Sequence, residues 1–407
     1  MEMKKGPLIM MLEALLLLSC PLPAQITPER LRGDPLLAMD VYRPYAYSPS
    51  KDTRPPKGYK AVYVSHYGRH GERFLIQEYY LRHGLEILEK EVLTPLGEKA
   101  KAEIAAMIER TEGNWGALSP RGAETHTAIA GRLFSRNKSV FRSGRIVRCT
   151  ATPIPRCIVS MVSAAGTLAT CSPRLNFVYR LNENFLCYMQ PDEVRDHIKA
   201  LRDSMFAAQP SAYDCLRACF SDRNVPSLKE LAAVADALFF TWKDLPSLGL
   251  EQFDIRDFFS EQMLLHTARH YAAWDYCLLS RSPWWHREWL VPIFDDIVDR
   301  ANEALERGDI AADLRFGHDS QLIPIYTALG LTARGPVRDY ASSPDDWDPA
   351  SICPMASNLQ IEFYTKKNAP ALVKVLLNEC EVCLPDLSPI KGPYYLWEDF
   401  SSLLRGE

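Results

Sequence analysis

The chain has 407 residues, 47% of them hydrophobic, enough to bury one large core or two. Its formal net charge of −4 gives no electrostatic reason to expect nucleic acid, which wants a basic surface, as the partner. A local basic pocket for a small anion stays open.

In chain order, Lys4 and Lys5 precede an apolar run, Leu8 to Leu12 and Leu15 to Leu18, broken by Glu13. Such a segment is too short to span a bilayer and reads as a leader covering residues 1–24. It has two candidate ends. Leu17-Leu18-Ser19-Cys20 is a lipobox that would leave a lipid anchor on Cys20, and Leu22-Pro23-Ala24 before Gln25 is an ordinary cleavage site. Either predicts export, to the periplasm, the outer membrane or the exterior of a bacterium.

Residues 25–58, with many prolines and little periodicity, read as an extended N-terminal arm. A β-like stretch from Lys60 to Ser65 then delivers the run Arg69-His70-Gly71-Glu72-Arg73. Leu81, Leu85 and Leu88 predict a helix after it. Two further helices start alike at Thr94-Pro95 and Ser119-Pro120, a hydroxyl cap before proline. Gly144 to Thr152 alternates as a strand, and the helix after it carries Ile158, Met161, Val162 and Ala165 as its buried stripe. Arg156 thus falls at a strand-to-helix crossover, where the helix N-terminus favours an anion.

Residues 172–290 read as an inserted helical lobe, whose Trp284, Trp285 and Trp289 anchor it to the core or, alternatively, line a substrate mouth. Asp313 to Phe316 is the next strand, ending in Gly317-His318-Asp319, with a helix through Leu322, Ile323 and Tyr326. Leu359 to Phe363 and Leu372 to Leu377 are late strands, set as antiparallel neighbours. This alternation predicts a three-layer α/β/α core with a mostly parallel sheet, built from residues 59–171 and 291–407, plus the α-helical lobe. The three Arg/His elements all fall at strand carboxyl ends, where open α/β sheets bind ligands.

The chemistry follows from residue types. Guanidiniums match phosphate oxygens in a bidentate fork, and a neutral imidazole is a good nucleophile. Arg69, Arg73 and Arg156 would supply positive charge, with His318 adding a hydrogen bond to the phosphate. His70 would attack phosphorus, and Asp319 would protonate the leaving alkoxide. The reading is a phosphomonoester hydrolase acting through a phosphohistidine on a small phosphorylated substrate, with no metal and no cofactor. The rival reading is an exported binding protein that holds phosphorylated ligands without turnover.

Bland readings stand beside these. Asp319 can be a helix N-cap, Glu72 a salt-bridged or solvated neighbour with an acid role as its weaker alternative, and Asn358 a turn residue. His266 and His270, four apart, lack the glutamate of a zinc-protease helix and read as ordinary imidazoles. His126 and Arg121 approach the pocket if their helix points there. Of 11 cysteines, ten lie after the leader, an even set that predicts disulfides in an exported chain. The close pairs Cys215/Cys219 and Cys380/Cys383 do not complete a zinc site.

At these motifs, from about residue 60 to residue 400, the chain resembles the histidine acid phosphatases, branch 2 of the histidine phosphatase superfamily. The family's Arg-His-Gly-x-Arg-x-Pro signature is matched by Arg69, His70, Gly71 and Arg73, with Leu75 in place of the proline. Ala151-Thr152-Pro153-Ile154-Pro155-Arg156 resembles its Ser-Thr-x-x-x-Arg element, His318-Asp319 its His-Asp pair, and Leu118-Ser119-Pro120-Arg121-Gly122 its Leu-Thr-x-x-Gly segment. The resemblance implies acid phosphatase activity. It extends to the multiple inositol polyphosphate phosphatases and their bacterial relatives, and so to phytate as a substrate. Those enzymes carry His-Ala-Glu where this chain has His318-Asp319-Ser320, a departure that bears on phytate specificity rather than on the reaction.

Overall fold

A computed structural model describes residues 26–142, 144–182, 196, 210–221, 226–280, 286–332 and 347–407. The leader, with Cys20, lies outside the described residues, as do Trp284 and Trp285. In chain order the elements are α1 (Pro28–Gly33), a 3-10 segment (Pro35–Tyr42), β1 (Lys60–Arg69), α2 (Glu78–Lys90), α3 (Pro95–Thr111) and α4 (Pro120–Arg136). There follow β2 (Ile146–Ala151), α5 (Pro155–Cys171), β3 (Asn176–Leu181), α6 (Leu228–Asp244), α7 (Glu261–Leu279) and α8 (Val291–Arg307). The chain closes with β4 (Ile310–Gly317), α9 (Asp319–Ala328), α10 (Pro349–Ile352), β5 (Asn358–Thr365), β6 (Leu372–Leu377), β7 (Cys380–Glu381), β8 (Tyr394–Leu396) and α11 (Trp397–Arg405).

Local chemistry sets the helix starts. The Thr94 hydroxyl accepts from the Gly97 amide and the Ser119 hydroxyl from the Gly122 amide, each just ahead of a proline at the first helical position. The sheet runs β3-β2-β4-β1-β5-β6-β7, with β8 also on β6. β3, β2, β4 and β1 are parallel, and β5 and β6 are antiparallel to their neighbours. Side chains alternate across it. Val64, Val147, Ala312 and Leu314 face α4 and α5 in one apolar cluster. Tyr63, Tyr67, Ile361 and Phe363 face the other way, into the cluster of Ile293 and Ile297 from α8. That is a mixed α/β core of three layers with a mostly parallel centre.

Three expectations change. The segment expected as an extended arm is helical from Pro28 to Gly33 and from Pro35 to Tyr42, and it buries Leu37, Ala38, Met39, Val41 and Tyr42. The cause is local: Thr27 and Asp34 each cap a turn that begins with proline, accepting from the amides of Arg30 and Leu36. Residues 176–181, expected inside the helical block, form instead the edge strand β3 on β2. Their mostly exposed edge position leaves little one-sided apolar pattern to read. Third, the predicted disulfides are missing among the described residues, where Cys149, Cys157, Cys171, Cys215, Cys219, Cys353, Cys380 and Cys383 are all free. Cys149, Cys157, Cys219 and Cys353 are buried, filling space as small apolar groups.

Candidate active site

Strand register assembles the site. Arg69 pairs with Gly317 across β1 and β4, and Ala151 pairs with Phe316 across β2 and β4. The residues that follow, His70, His318 and Thr152, therefore emerge side by side at one edge of the sheet. The His70 and His318 ring centroids lie 5.5 Å apart. Behind them, α5 and α9 begin at the same edge and present the positive ends of their dipoles.

His70 is 2% exposed. Its Nδ1 is 2.9 Å from the carbonyl oxygen of Gly71, which can only accept, so Nδ1 carries the proton and Nε2 keeps a free lone pair. Burial, with the charges of Arg69, Arg156, His318 and Arg73, holds the ring's pKa well below its ordinary 6.5. The imidazole is neutral and fixed in one tautomer.

The guanidiniums divide their work. Arg69 donates to the carbonyls of Val41 and Cys353 and pairs with the Asp319 carboxylate at 2.7 Å. Arg73 lies over the Tyr42 ring at 4.6 Å and 3.8 Å from the buried carboxylate of Asp244. Arg156 sits at the first turn of α5, half-buried, its Nη1 lying against Gly116. All three keep a buried Nε–H with no hydrogen-bond partner among the described residues. An unmet buried donor costs about 1–3 kcal/mol, so such groups call for an acceptor.

Burial would raise the Asp319 carboxyl, but Arg69, His318, the Ser320 amide and Arg73 together bring it below its usual range. The Ser320 amide donates to its Oδ1 at 2.9 Å. His318 is pushed down to about 4, chiefly by burial and by Arg156. Its Nε2 lies 3.3 Å from the Thr152 hydroxyl and 3.5 Å from the Cys157 thiol.

Backbone contacts lock the turn. The Gly71 amide donates to the Ser160 hydroxyl at 3.1 Å, and the Ser119 amide donates to the Glu72 carbonyl at 2.9 Å. The turn and the start of α4 touch main chain to main chain: a Cβ on Gly71 would lie 2.6 Å from the Gly122 carbonyl, and one on Gly122 would lie 2.2 Å from that of Glu72. Only glycine fits at either position.

The site gathers His70, Arg69, Arg73, Arg156, His318 and Asp319, all six residues selected from sequence. Glu72 is fully buried and accepts from the Tyr45 amide at 3.0 Å, a structural contact. Arg121 comes within 3.9 Å of Glu72. His126 lies beneath the turn against Phe316, and burial keeps it neutral at about 3. Leu75, at the proline position, fills the core. Asn358 opens β5, its amide donating to the Asn378 side chain. His270 lines the neighbouring cleft, whereas His266 packs against Tyr213. Among the described residues no group of three or more His, Cys, Asp or Glu is placed to hold a metal.

Sequence reasoning missed the residues around this cradle: Asp40 and Tyr42 from the 3-10 segment, and Lys243 and Asp244 at the end of α6. The Thr27-Pro28 and Asp34-Pro35 pairs would have flagged the first two as part of a structured segment. Nothing local marks Lys243 or Asp244. Burial pulls that lysine down to about 8 and pushes that carboxyl up to about 7.

Residues 227–378, which include His318 and Asp319, match the family model of the histidine phosphatase superfamily (branch 2). The fold is similar to that of the Bifidobacterium longum multiple inositol polyphosphate phosphatase, at 17% identity over 90% of this chain and 97% of that one, with a TM-score of 0.71 for its apo form. Its complex with inositol hexasulfate, also 17% identical and with the same shares covered, gives 0.69. The phytase from D. castellii, 14% identical over 91% of this chain and 85% of its own, gives 0.68. No curated protein sequence matches the chain. The family match thus covers residues 227–378 of the chain, and the solved structures share its fold.

Proposed function

We propose that the chain hydrolyses small phosphomonoesters through a phosphohistidine at His70, with Asp319 as the general acid. The observation that carries this reading is the set of three guanidiniums with unmet Nε–H donors around one neutral imidazole whose lone pair sits on Nε2. In the first step the Nε2 lone pair forms a bond to phosphorus while the bond to the ester oxygen breaks, and the Asp319 carboxyl gives its proton to the departing alkoxide. In the second step the Asp319 carboxylate takes a proton from water as that water attacks phosphorus. The N–P bond then breaks, inorganic phosphate leaves and the imidazole is restored. Arg69, Arg73, Arg156 and His318 hold the phosphoryl oxygens, so the charge that builds up is met without a metal.

Arg69 keeps Asp319 ionised at rest, and a bound phosphate dianion would offset that cation and let the carboxyl take up its proton. The leaving-group dependence tests this. Asp319→Asn should slow release from an alkyl phosphate, a poor leaving group, by roughly 100-fold or more, and from p-nitrophenyl phosphate far less. Equal loss for both, measured with EDTA present, would remove Asp319 from the role of acid.

A pH profile tests the nucleophile. A His70 titrating at its ordinary 6.5 would make kcat/KM fall between pH 7 and pH 5, because protonation removes the lone pair. With its folded value well below that, the ring stays neutral across this window, and kcat/KM for p-nitrophenyl phosphate should hold level or rise toward acid. An acid limb near 6.5 that a His318→Asn variant retains would contradict the assignment.

The leader sequence supports export as part of the same proposal, with Cys20 the residue to examine for a lipid anchor.

A further inference from the structure

Beside the cradle opens a cleft of about 680 Å³ with Asp319 in its wall. It lies between the 3-10 segment, α2, α6 and α7. An ester bound with its phosphate on His70 and its leaving oxygen at Asp319 would extend its alcohol into this space. The charges that line the cleft therefore bear on which alcohols fit.

They are not the charges a polyphosphate needs. No arginine lines the cleft among the described residues. Among the described residues its ammonium groups are Lys229, exposed at the rim, and Lys243, 1% exposed at the bottom. Lys243 is already enclosed by aromatic faces, its Nζ 4.0 Å from the Tyr42 ring and 4.3 Å from those of Phe240 and Tyr271. Against these stand the carboxyls of Asp40, Asp236 and Asp275, besides Asp319. Asp40 and Asp275 are both buried, and burial above all raises both carboxyls above their ordinary range. Asp40 also holds a left-handed backbone, φ 56° and ψ −146°, a strained conformation for a residue with a Cβ. The rest of the lining is largely aromatic: Tyr79 is 70% exposed at the rim, and Tyr80 and Tyr271 are half-buried.

We propose that this cleft is the leaving-group subsite and that it selects phosphomonoesters whose alcohol carries an aromatic ring and no second phosphate. The inference rests on the phosphatase reading above. Further phosphates on the alcohol would lie against carboxylates, with no guanidinium among the described residues to receive them, whereas a ring would find tyrosine faces. Carboxyls in place of guanidiniums offer a second phosphate no donor to bind it, and they accept hydroxyl or ammonium groups.

The test compares kcat/KM of the purified chain for phenyl phosphate, glycerol phosphate and inositol hexakisphosphate. Phenyl phosphate should exceed the hexakisphosphate by about 100-fold or more. Tyr79→Ala, at an exposed rim position where folding is not at stake, should raise KM for phenyl phosphate by about tenfold and leave glycerol phosphate unchanged. Equal use of phenyl phosphate and hexakisphosphate, or equal loss on both small esters in the Tyr79 variant, overturns the selectivity while leaving the phosphatase reading intact. Release of phosphate from none of the three overturns that reading, and this inference falls with it.

Discussion

His70→Ala is expected to lower kcat by at least roughly 10⁴-fold for every ester, good and poor leaving groups alike, because the atom that bonds phosphorus is gone. Binding should survive, since the three guanidiniums and His318 are untouched, and the variant should still hold inorganic phosphate. The comparison is informative because the Asp319 variant spares good leaving groups and this one spares none. A rapid alkaline quench of the unmodified chain during turnover of ³²P-labelled ester should recover label on protein. The label should be stable to base, labile to acid, and absent from His70→Ala. Turnover retained in that variant, or label on another residue, would end the phosphohistidine proposal. Saturable binding of esters with no turnover by the unmodified chain would instead favour the binding-protein reading.

The second large effect needs no change to any reacting group. Gly122→Ala puts a methyl 2.2 Å from the carbonyl oxygen of Glu72 and 2.8 Å from its amide nitrogen. Both are main-chain atoms of the turn that carries His70 and Arg73, so relief requires the turn itself to move. Displacement of about 1 Å at a reacting centre costs on the order of 100-fold in rate, and overpacking costs about 1–3 kcal/mol of stability. We expect kcat/KM to fall by that order and the melting temperature to drop by several degrees. The control lies on the same helix: Gly131 would present its Cβ to open space, with nothing within 4 Å, and Gly131→Ala should leave both measurements unchanged. An unaffected Gly122 variant would mean that the turn tolerates a shift that the contact distances forbid.

Much of the site was legible because its residues are placed by strand ends. A strand followed by Arg-His-Gly, another followed by Thr-Pro-Ile-Pro-Arg and a third followed by Gly-His-Asp can be recognised one at a time, and parallel pairing then brings them together. β5 and β6 were legible as antiparallel neighbours from their apolar runs. β3 was not, because an exposed edge strand has no buried face to impose a pattern, and its residues Val178, Tyr179 and Leu181 remain in contact with solvent. The 3-10 segment escaped for a different reason. Its prolines suggested extended chain, yet here proline follows a capping side chain and starts a turn. The cleft was the least legible part, since Asp40, Asp236 and Asp275 lie on three separate elements and meet only through packing.

One guanidinium has a consequence for how the active protein comes into being. Arg69 is tied to the carbonyls of Val41 near the beginning of the chain and Cys353 near its end. This arginine can therefore be seated only once the chain has been made past residue 353 and that part has folded back onto β1. The leading segment joins β1 through a stretch exposed to solvent from Ala46 to Pro55. A protease cutting there would convert part of the pocket wall into a separate peptide held by contacts alone, so that dilution would then govern turnover.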